Sequence, residues 1–214
     1  MVITYYGLAS YKIQFGDTII AFNPVSKESA YKGSKFGADL VMVSMHHPDY
    51  NGISECTFGS KVPFVVDGPG EYETKDIYIK GVGIEQVVNN EKKFNTIYSV
   101  LFEGARLCHL GALNVKDISA DVIEQLGEID LLFVPITGGE VLTPAMAADV
   151  ATTLEPKLVI PMHAGVKGID KALLQQFLKA YGDEGAKPID KLTLRKKDLE
   201  GKEGDVVIID PVSS

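Results

Sequence analysis

Apolar and polar residues alternate through most of the first half of the chain, which is the pattern of half-buried β-strands. Turn residues such as Phe15-Gly16-Asp17 separate several of these segments, as hairpins require. The segments predicted as strands are 3–6, 11–15, 18–22, 40–44, 62–66, 77–79, 96–102 and 106–109.

The second half alternates between helical and strand patterns. Thr143 followed by Pro144 is a good helix start, because threonine caps the first turn and proline fits its first position. Helices are predicted at 118–126, from 144 to about 155, and at 169–181, and strands at 131–135, 157–161 and 205–210. Antiparallel strands followed by this alternation predict two sheets covered by helices, with residues 1–214 as a single domain.

Composition narrows the class of protein. The chain has 214 residues, of which 45% are hydrophobic, enough for a sizeable core. The 21 basic and 29 acidic residues give a net charge of 21 − 29 = −8, which disfavours a nucleic-acid partner. The N-terminus lacks a signal-peptide pattern, and no apolar run approaches the ~18 residues of a membrane-spanning helix. We therefore predict a cytoplasmic protein without a membrane partner, with Cys56 and Cys108 as reduced packing residues.

Three strand-like apolar runs end in histidine, at His46 and His47, at His109 and at His163. Strand ends are where α/β proteins usually place their sites, so these side chains could converge. Asp49 follows two residues after His47, and imidazole with carboxylate suits zinc, iron or manganese. A histidine at a strand end can equally be a hydrogen-bonded structural residue, and spacing alone leaves both interpretations open.

Six segments together resemble the metallo-β-lactamase superfamily, most closely its small bacterial metal-dependent hydrolases related to ascorbate-phosphate lactonase. They are ITYYGLASYKIQFGDTIIAFNP, VSMHHPDYNG, DGPGEYE, CHLGAL, LLFVPITGG and PKLVIPMHAG. The resemblance implies an α/β fold, the four-layer αββα sandwich, with the site at one edge between two sheets.

The resemblance also indicates which metal ligands are present. His47, Asp49 and His163 match ligand positions of the family's motif, whereas His46 and His109 do not. Ligand positions are replaced by Met45, Tyr50, Gln86 and Ala112. Ala112 stands where the family has the aspartate that bridges two cations about 3.5–4 Å apart. We further predict that Tyr50 donates a hydrogen bond to Asp49.

Three functions remain open at this point. The first is a pseudoenzyme without a metal cofactor. It would bind a small molecule or a protein in the cleft that holds the metal site in the family. The second is a mononuclear hydrolase of lactones or phosphodiesters that holds one zinc, manganese or iron ion with His47, Asp49 and His163. The third is a structural or assembly protein. The sequence does not decide the ligand or the oligomeric state.

Overall fold

The computed structural model describes residues 1–162 and 170–212. It contains two large sheets. The first has six strands in the order β13-β1-β2-β3-β4-β5. These strands are β1 (Val2–Tyr5), β2 (Tyr11–Phe15), β3 (Thr18–Phe22), β4 (Leu40–Met42), β5 (Phe64–Val66) and β13 (Leu192–Thr193).

The second sheet has seven strands in the order β14-β11-β10-β9-β8-β7-β6. They are β6 (Gly70–Thr74), β7 (Ile77–Val88), β8 (Glu91–Phe102), β9 (Ala105–His109), β10 (Leu131–Pro135), β11 (Leu158–Met162) and β14 (Asp205–Val206). Strands β6 to β9 are antiparallel, and β9, β10, β11 and β14 are parallel. A small parallel pair, β12 (Pro188–Ile189) and β15 (Ile208–Ile209), completes the strands of the described residues.

Three α-helices lie on the outer face of the seven-stranded sheet: α1 (Ala120–Leu126), α2 (Pro144–Leu154) and α3 (Lys171–Tyr181). Side chains cap all three: the backbone N–H groups of the first turn donate to Ser119, Thr143 and Asp170. In the described part of the chain, no helix is both long and apolar enough to cross a membrane.

The two sheets stack face to face over a core that contains the large rings of Tyr11, Phe22, Tyr98 and Phe133. A second apolar cluster joins the helices to the seven-stranded sheet. A third lies between the six-stranded sheet and a 3-10 helix, Ile53–Cys56. The predicted α/β sandwich of two sheets is confirmed, and among the described residues its layer over the six-stranded sheet is a loop with this short 3-10 helix.

Predicted and observed elements differ mainly where glycine or charge interrupts the pattern. Strand β6 was not predicted. Strand β7 extends well past the predicted 77–79, because Gly81, Gly83 and neighbouring charged residues obscure its alternation. The predicted strand 205–210 is divided into β14 and β15, which pair with different partners. Ile169, the predicted start of α3, lies outside the described residues.

Asp39 joins three segments at one side of the sandwich. Its carboxylate accepts hydrogen bonds from Lys61 Nζ at 2.8 Å, Lys75 Nζ at 2.5 Å and the backbone N–H of Ile19 at 2.9 Å. Burial alone would raise the pKa of Asp39, but these hydrogen bonds outweigh it and lower the pKa to about 2. The ion pairs therefore tie the β6–β7 turn to the six-stranded sheet.

Cys56 and Cys108 are both buried and unbridged, in agreement with their prediction as packing residues. Burial raises the pKa of each thiol to about 12. Both thiols are therefore protonated near neutral pH and poor nucleophiles.

Candidate functional site

The loop after β4 carries two of the predicted ligands. His47 Nδ1 lies 3.6 Å from Asp49 Oδ2 and accepts a hydrogen bond from the backbone N–H of Asp49 at 3.2 Å. The carbonyl of His47 accepts from the backbone N–H groups of Tyr50 and Asn51, at 2.9 and 3.1 Å, which closes a tight turn. Both side chains are partly accessible, and His46 points outward as an exposed residue. The turn therefore places one imidazole and one carboxylate side by side.

Asp49 has a further partner that the sequence did not indicate. Ser29 Oγ donates to Asp49 Oδ1 at 2.5 Å and accepts from the backbone N–H of Tyr31 at 3.0 Å. The hydrogen bond from Tyr50 to Asp49 stays a prediction. Ser29 donates to Asp49 from a separate loop.

Three of the positions predicted as replaced ligands belong to the core. Met45, Tyr50 and Ala112 are buried in the cluster between the two sheets. Burial and then the nearby Asp49 carboxylate raise the pKa of the Tyr50 phenol above its ordinary value, so it is protonated near neutral pH. The side chains of Met45, Tyr50 and Ala112 therefore pack against the apolar side chains of the core.

The fourth of these predicted positions, Gln86, is buried and bonded at both ends of its amide. Gln86 Nε2 donates to the carbonyl of Ala112 at 2.7 Å, and Gln86 Oε1 accepts from the backbone N–H of Asn114 at 3.1 Å. The side chain thus holds the loop that follows β9, on which Ala112 lies.

Asn95 holds the same loop from the neighbouring strand. Its Nδ2 donates to the carbonyl of Leu110 at 2.9 Å, and its Oδ1 accepts from the backbone N–H of Ala112 at 2.8 Å. We call Gln86 and Asn95 the amide clamp. The one sequence signal that could have indicated the clamp is an asparagine inside the apolar strand pattern FNTIYSV. In the structure this asparagine is fully buried.

Gly111 allows this close packing. A Cβ atom at this position would lie 2.5 Å from Asn95 Oδ1 and 2.5 Å from Ser44 Cβ, and the residue has a φ of +63°. Only glycine fits both the space and the backbone conformation.

Ser44, the serine nearest in sequence to His46 and His47, is hydrogen-bonded to the side-chain amide of Asn23. Asn23 Nδ2 donates to Ser44 Oγ at 2.8 Å, and Ser44 N donates to Asn23 Oδ1 at 2.8 Å. A serine nucleophile needs a neighbouring general base, and a neutral amide does not serve as one.

His109 is a structural residue at the end of β9. Its ring stacks on Phe22 with centroids 4.7 Å apart, and Gly111 N donates to its Nδ1 at 3.1 Å. Nε2 then carries the proton that faces the carbonyl of Ala9 at 3.1 Å. Both ring nitrogens of His109 therefore face backbone groups.

Of the predicted ligands, the structure brings together His47 and Asp49, and His163 lies outside the described residues. No group of three or more potential metal-binding side chains occurs within residues 1–162 and 170–212. At the two positions that the resemblance assigns to the bridging ligand and a neighbouring ligand, the Ala112 side chain has no donor atom for a cation, and the Gln86 amide is bonded at both ends.

Stacked sheets with helices and a histidine-carboxylate turn after a strand are features of the metallo-β-lactamase class. The sequence profile of the beta-lactamase superfamily domain matches residues 2–163, and the chain belongs to this family. The predicted superfamily is therefore confirmed.

Known relatives agree with this assignment. A metal-dependent hydrolase of Thermococcus onnurineus is 28% identical over 193 aligned residues, covering 78% of this chain and 84% of the relative. A Thermotoga maritima protein classed as a zinc-dependent hydrolase of the metallo-β-lactamase superfamily has a similar structure. It is 28% identical, with a TM-score of 0.74 and 97% coverage of both chains. A metallo-β-lactamase fold protein of Bacillus subtilis shares the fold at 11% identity, with a TM-score of 0.62 and coverage of 97% and 95%.

Proposed function

We propose that this protein has lost the dinuclear metal site and the metal-dependent hydrolysis of its family, and that its cleft binds a ligand or a protein partner. The observation that carries the proposal is the bonding of Gln86, at a position where the family has a metal ligand. Its amide is used at both ends, toward Ala112 and Asn114. The side chain is thus committed to holding the loop.

The chemistry of the other replaced positions supports the same conclusion. A dinuclear site needs a bridging carboxylate, and Ala112 offers only a methyl group. Met45 offers a thioether, a soft donor unlike the imidazole and carboxylate ligands of zinc or manganese. No step of metal-dependent hydrolysis is therefore assigned to these residues.

Metal content tests the proposal. Protein purified without chelator, incubated with excess zinc or manganese and then desalted should hold well under one equivalent of metal by mass spectrometry. A variant carrying Met45→His, Tyr50→His, Gln86→His and Ala112→Asp restores the donors and should hold more metal than the natural chain. Stoichiometric, tightly held metal in the natural chain would overturn the proposal.

A second candidate is a mononuclear hydrolase that uses His47, Asp49 and His163. The separation of 3.6 Å between His47 Nδ1 and Asp49 Oδ2 favours it, because both groups are accessible on one turn. The names of the relatives, which are metal-dependent hydrolases, also favour it. Three protein ligands and a water form a recognised catalytic arrangement, in which a bound ion would supply an activated water.

The variant His163→Ala separates the two candidates. A mononuclear hydrolase would lose both its bound metal and its turnover of bis(p-nitrophenyl) phosphate or of a simple lactone. Unchanged turnover in His163→Ala would exclude the mononuclear site. The mononuclear hydrolase would be favoured over the pseudoenzyme if the natural chain has both metal and turnover and the variant loses both.

A further inference from the structure

The outer face of the seven-stranded sheet has an open groove of about 330 Å³ over strands β6 to β9. It lies on the helix-bearing side of the sheet, on the opposite face from the inter-sheet core that Met45 and Ala112 join. The residues that line it are Glu71, Tyr72, Glu73, Tyr78, Ile79, Lys80, Ser99 and Arg106.

The strand register places opposite charges at the two ends of this groove. Arg106 pairs with Leu101, Leu101 with Tyr78, and Tyr78 with Glu73, so these residues form one row across four strands. Three strand spacings of about 4.8 Å put the Cα atoms of Arg106 and Glu73 about 14 Å apart. Tyr78, 51% exposed, lies between them.

The two end charges are not neutralised within the described residues. Lys80 Nζ and Glu71 Oε1, in the neighbouring row, pair with each other at 3.1 Å. Arg106 and Glu73, in contrast, form no ion pair with any residue in 1–162 or 170–212. The guanidinium of the half-buried Arg106 donates from Nη1 to Ser99 Oγ at 3.3 Å, which leaves most of its donors available.

A purely structural role explains only part of this arrangement. Arg106 packs beside Gly127 at the C-terminal end of α1, where a positive charge is favourable. That contact accounts for the position of the Arg106 side chain. It does not account for the exposed Tyr78 ring or for the unpaired Glu73 at the other end.

We propose that this groove binds a short peptide with free ends, holding the peptide carboxylate at Arg106 and the peptide ammonium group at Glu73. An arginine fork binds a carboxylate through two parallel hydrogen bonds, and a carboxylate accepts from an ammonium group. The exposed Tyr78 ring offers a surface for an apolar side chain of the ligand. Because the charges stand at opposite ends of the row, a peptide fits better than a single amino acid, whose two charges share one carbon atom.

Titration calorimetry with the dipeptide Gly-Phe and two blocked analogues tests this proposal. Gly-Phe should bind, whereas N-acetyl-Gly-Phe lacks the ammonium group, Gly-Phe amide lacks the carboxylate, and each should bind about tenfold more weakly. Equal binding of the three compounds, or no binding of Gly-Phe at millimolar concentration, would overturn the proposal.

Two variants identify the groups responsible. Glu73→Gln should remove the preference for Gly-Phe over its N-acetyl analogue, and Arg106→Gln should remove the preference over the amide. Glu91→Gln changes an exposed carboxylate of the same sheet that does not line the groove and should leave all three affinities unchanged. Glu73 is exposed, so its variant remains informative if Arg106→Gln weakens the fold. A preference that survives Glu73→Gln would refute the assignment, and none of these outcomes depends on metal content.

Discussion

Replacing Gln86 by alanine tests whether the amide clamp holds the loop after β9. The substitution leaves the carbonyl of Ala112 without its donor at 2.7 Å and the N–H of Asn114 without its acceptor at 3.1 Å. A buried polar group that loses its partner costs about 1–3 kcal/mol. Gln86 is 2% exposed, so water does not readily replace it. We expect the free energy of unfolding to fall by about 2–4 kcal/mol.

Urea unfolding followed by far-UV circular dichroism measures this change, because the chain contains no tryptophan to report by fluorescence. Gln125→Ala is a matched control, since Gln125 is exposed on α1 and its loss should change stability by less than about 0.5 kcal/mol. If Gln86→Ala is as mild as this control, the clamp does not stabilise the loop.

The variant Gln86→Glu separates hydrogen bonding from side-chain volume. A protonated glutamic acid can still donate to Ala112, whereas the ionised form cannot. Burial raises the pKa of such a carboxyl group in the folded state, so its stabilising contribution is present at low pH and is lost as the pH rises through that raised pKa. The deficit of Gln86→Glu relative to the natural chain should therefore grow with pH, and a deficit that shrinks with pH would contradict the assigned donor.

Three other predictions concern residues outside the clamp. The hydrogen bonds that lower the pKa of Asp39 to about 2 contribute about 2 kcal/mol of stability, which is present above the unfolded pKa and is lost as the pH falls toward 2. Asp39→Asn should flatten the acid limb of the stability curve, and an unchanged limb would show that its two lysine partners do not act through charge. Cys56 and Cys108 should react with a thiol reagent far more slowly in the native state than in denaturant, because both are buried with raised pKa values. Gly111→Ala should destabilise the fold more than Gly139→Ala. Both residues have positive φ, but only at Gly111 would a Cβ atom contact other atoms. Equal decreases in the thermal unfolding temperature of the two variants would contradict this.

The fold was largely accessible from the sequence because hydrophobic alternation records which face of each strand is buried. The observed limits of β2, β3 and β10 match the predicted 11–15, 18–22 and 131–135. Strand β6, Gly70–Thr74, escaped prediction because a short edge strand is only partly buried, so its alternation carries little apolar signal.

The sequence named the residues of the candidate site but did not indicate how they are bonded. Comparison with the family motif marked Gln86 and Ala112 as replaced ligands, but it did not indicate that they bond to each other across 26 residues of sequence. The contributions of Asn95 and Ser29 also depend on which loops meet in space. Such contacts follow from the packing of the two sheets, and no local pattern encodes them.

The amide clamp also bears on how the loop after β9 is held in place. A loop that is held by Gln86 and Asn95 is held by atoms that are synthesised together with the chain. The four hydrogen bonds that these two side chains make require no bound ion.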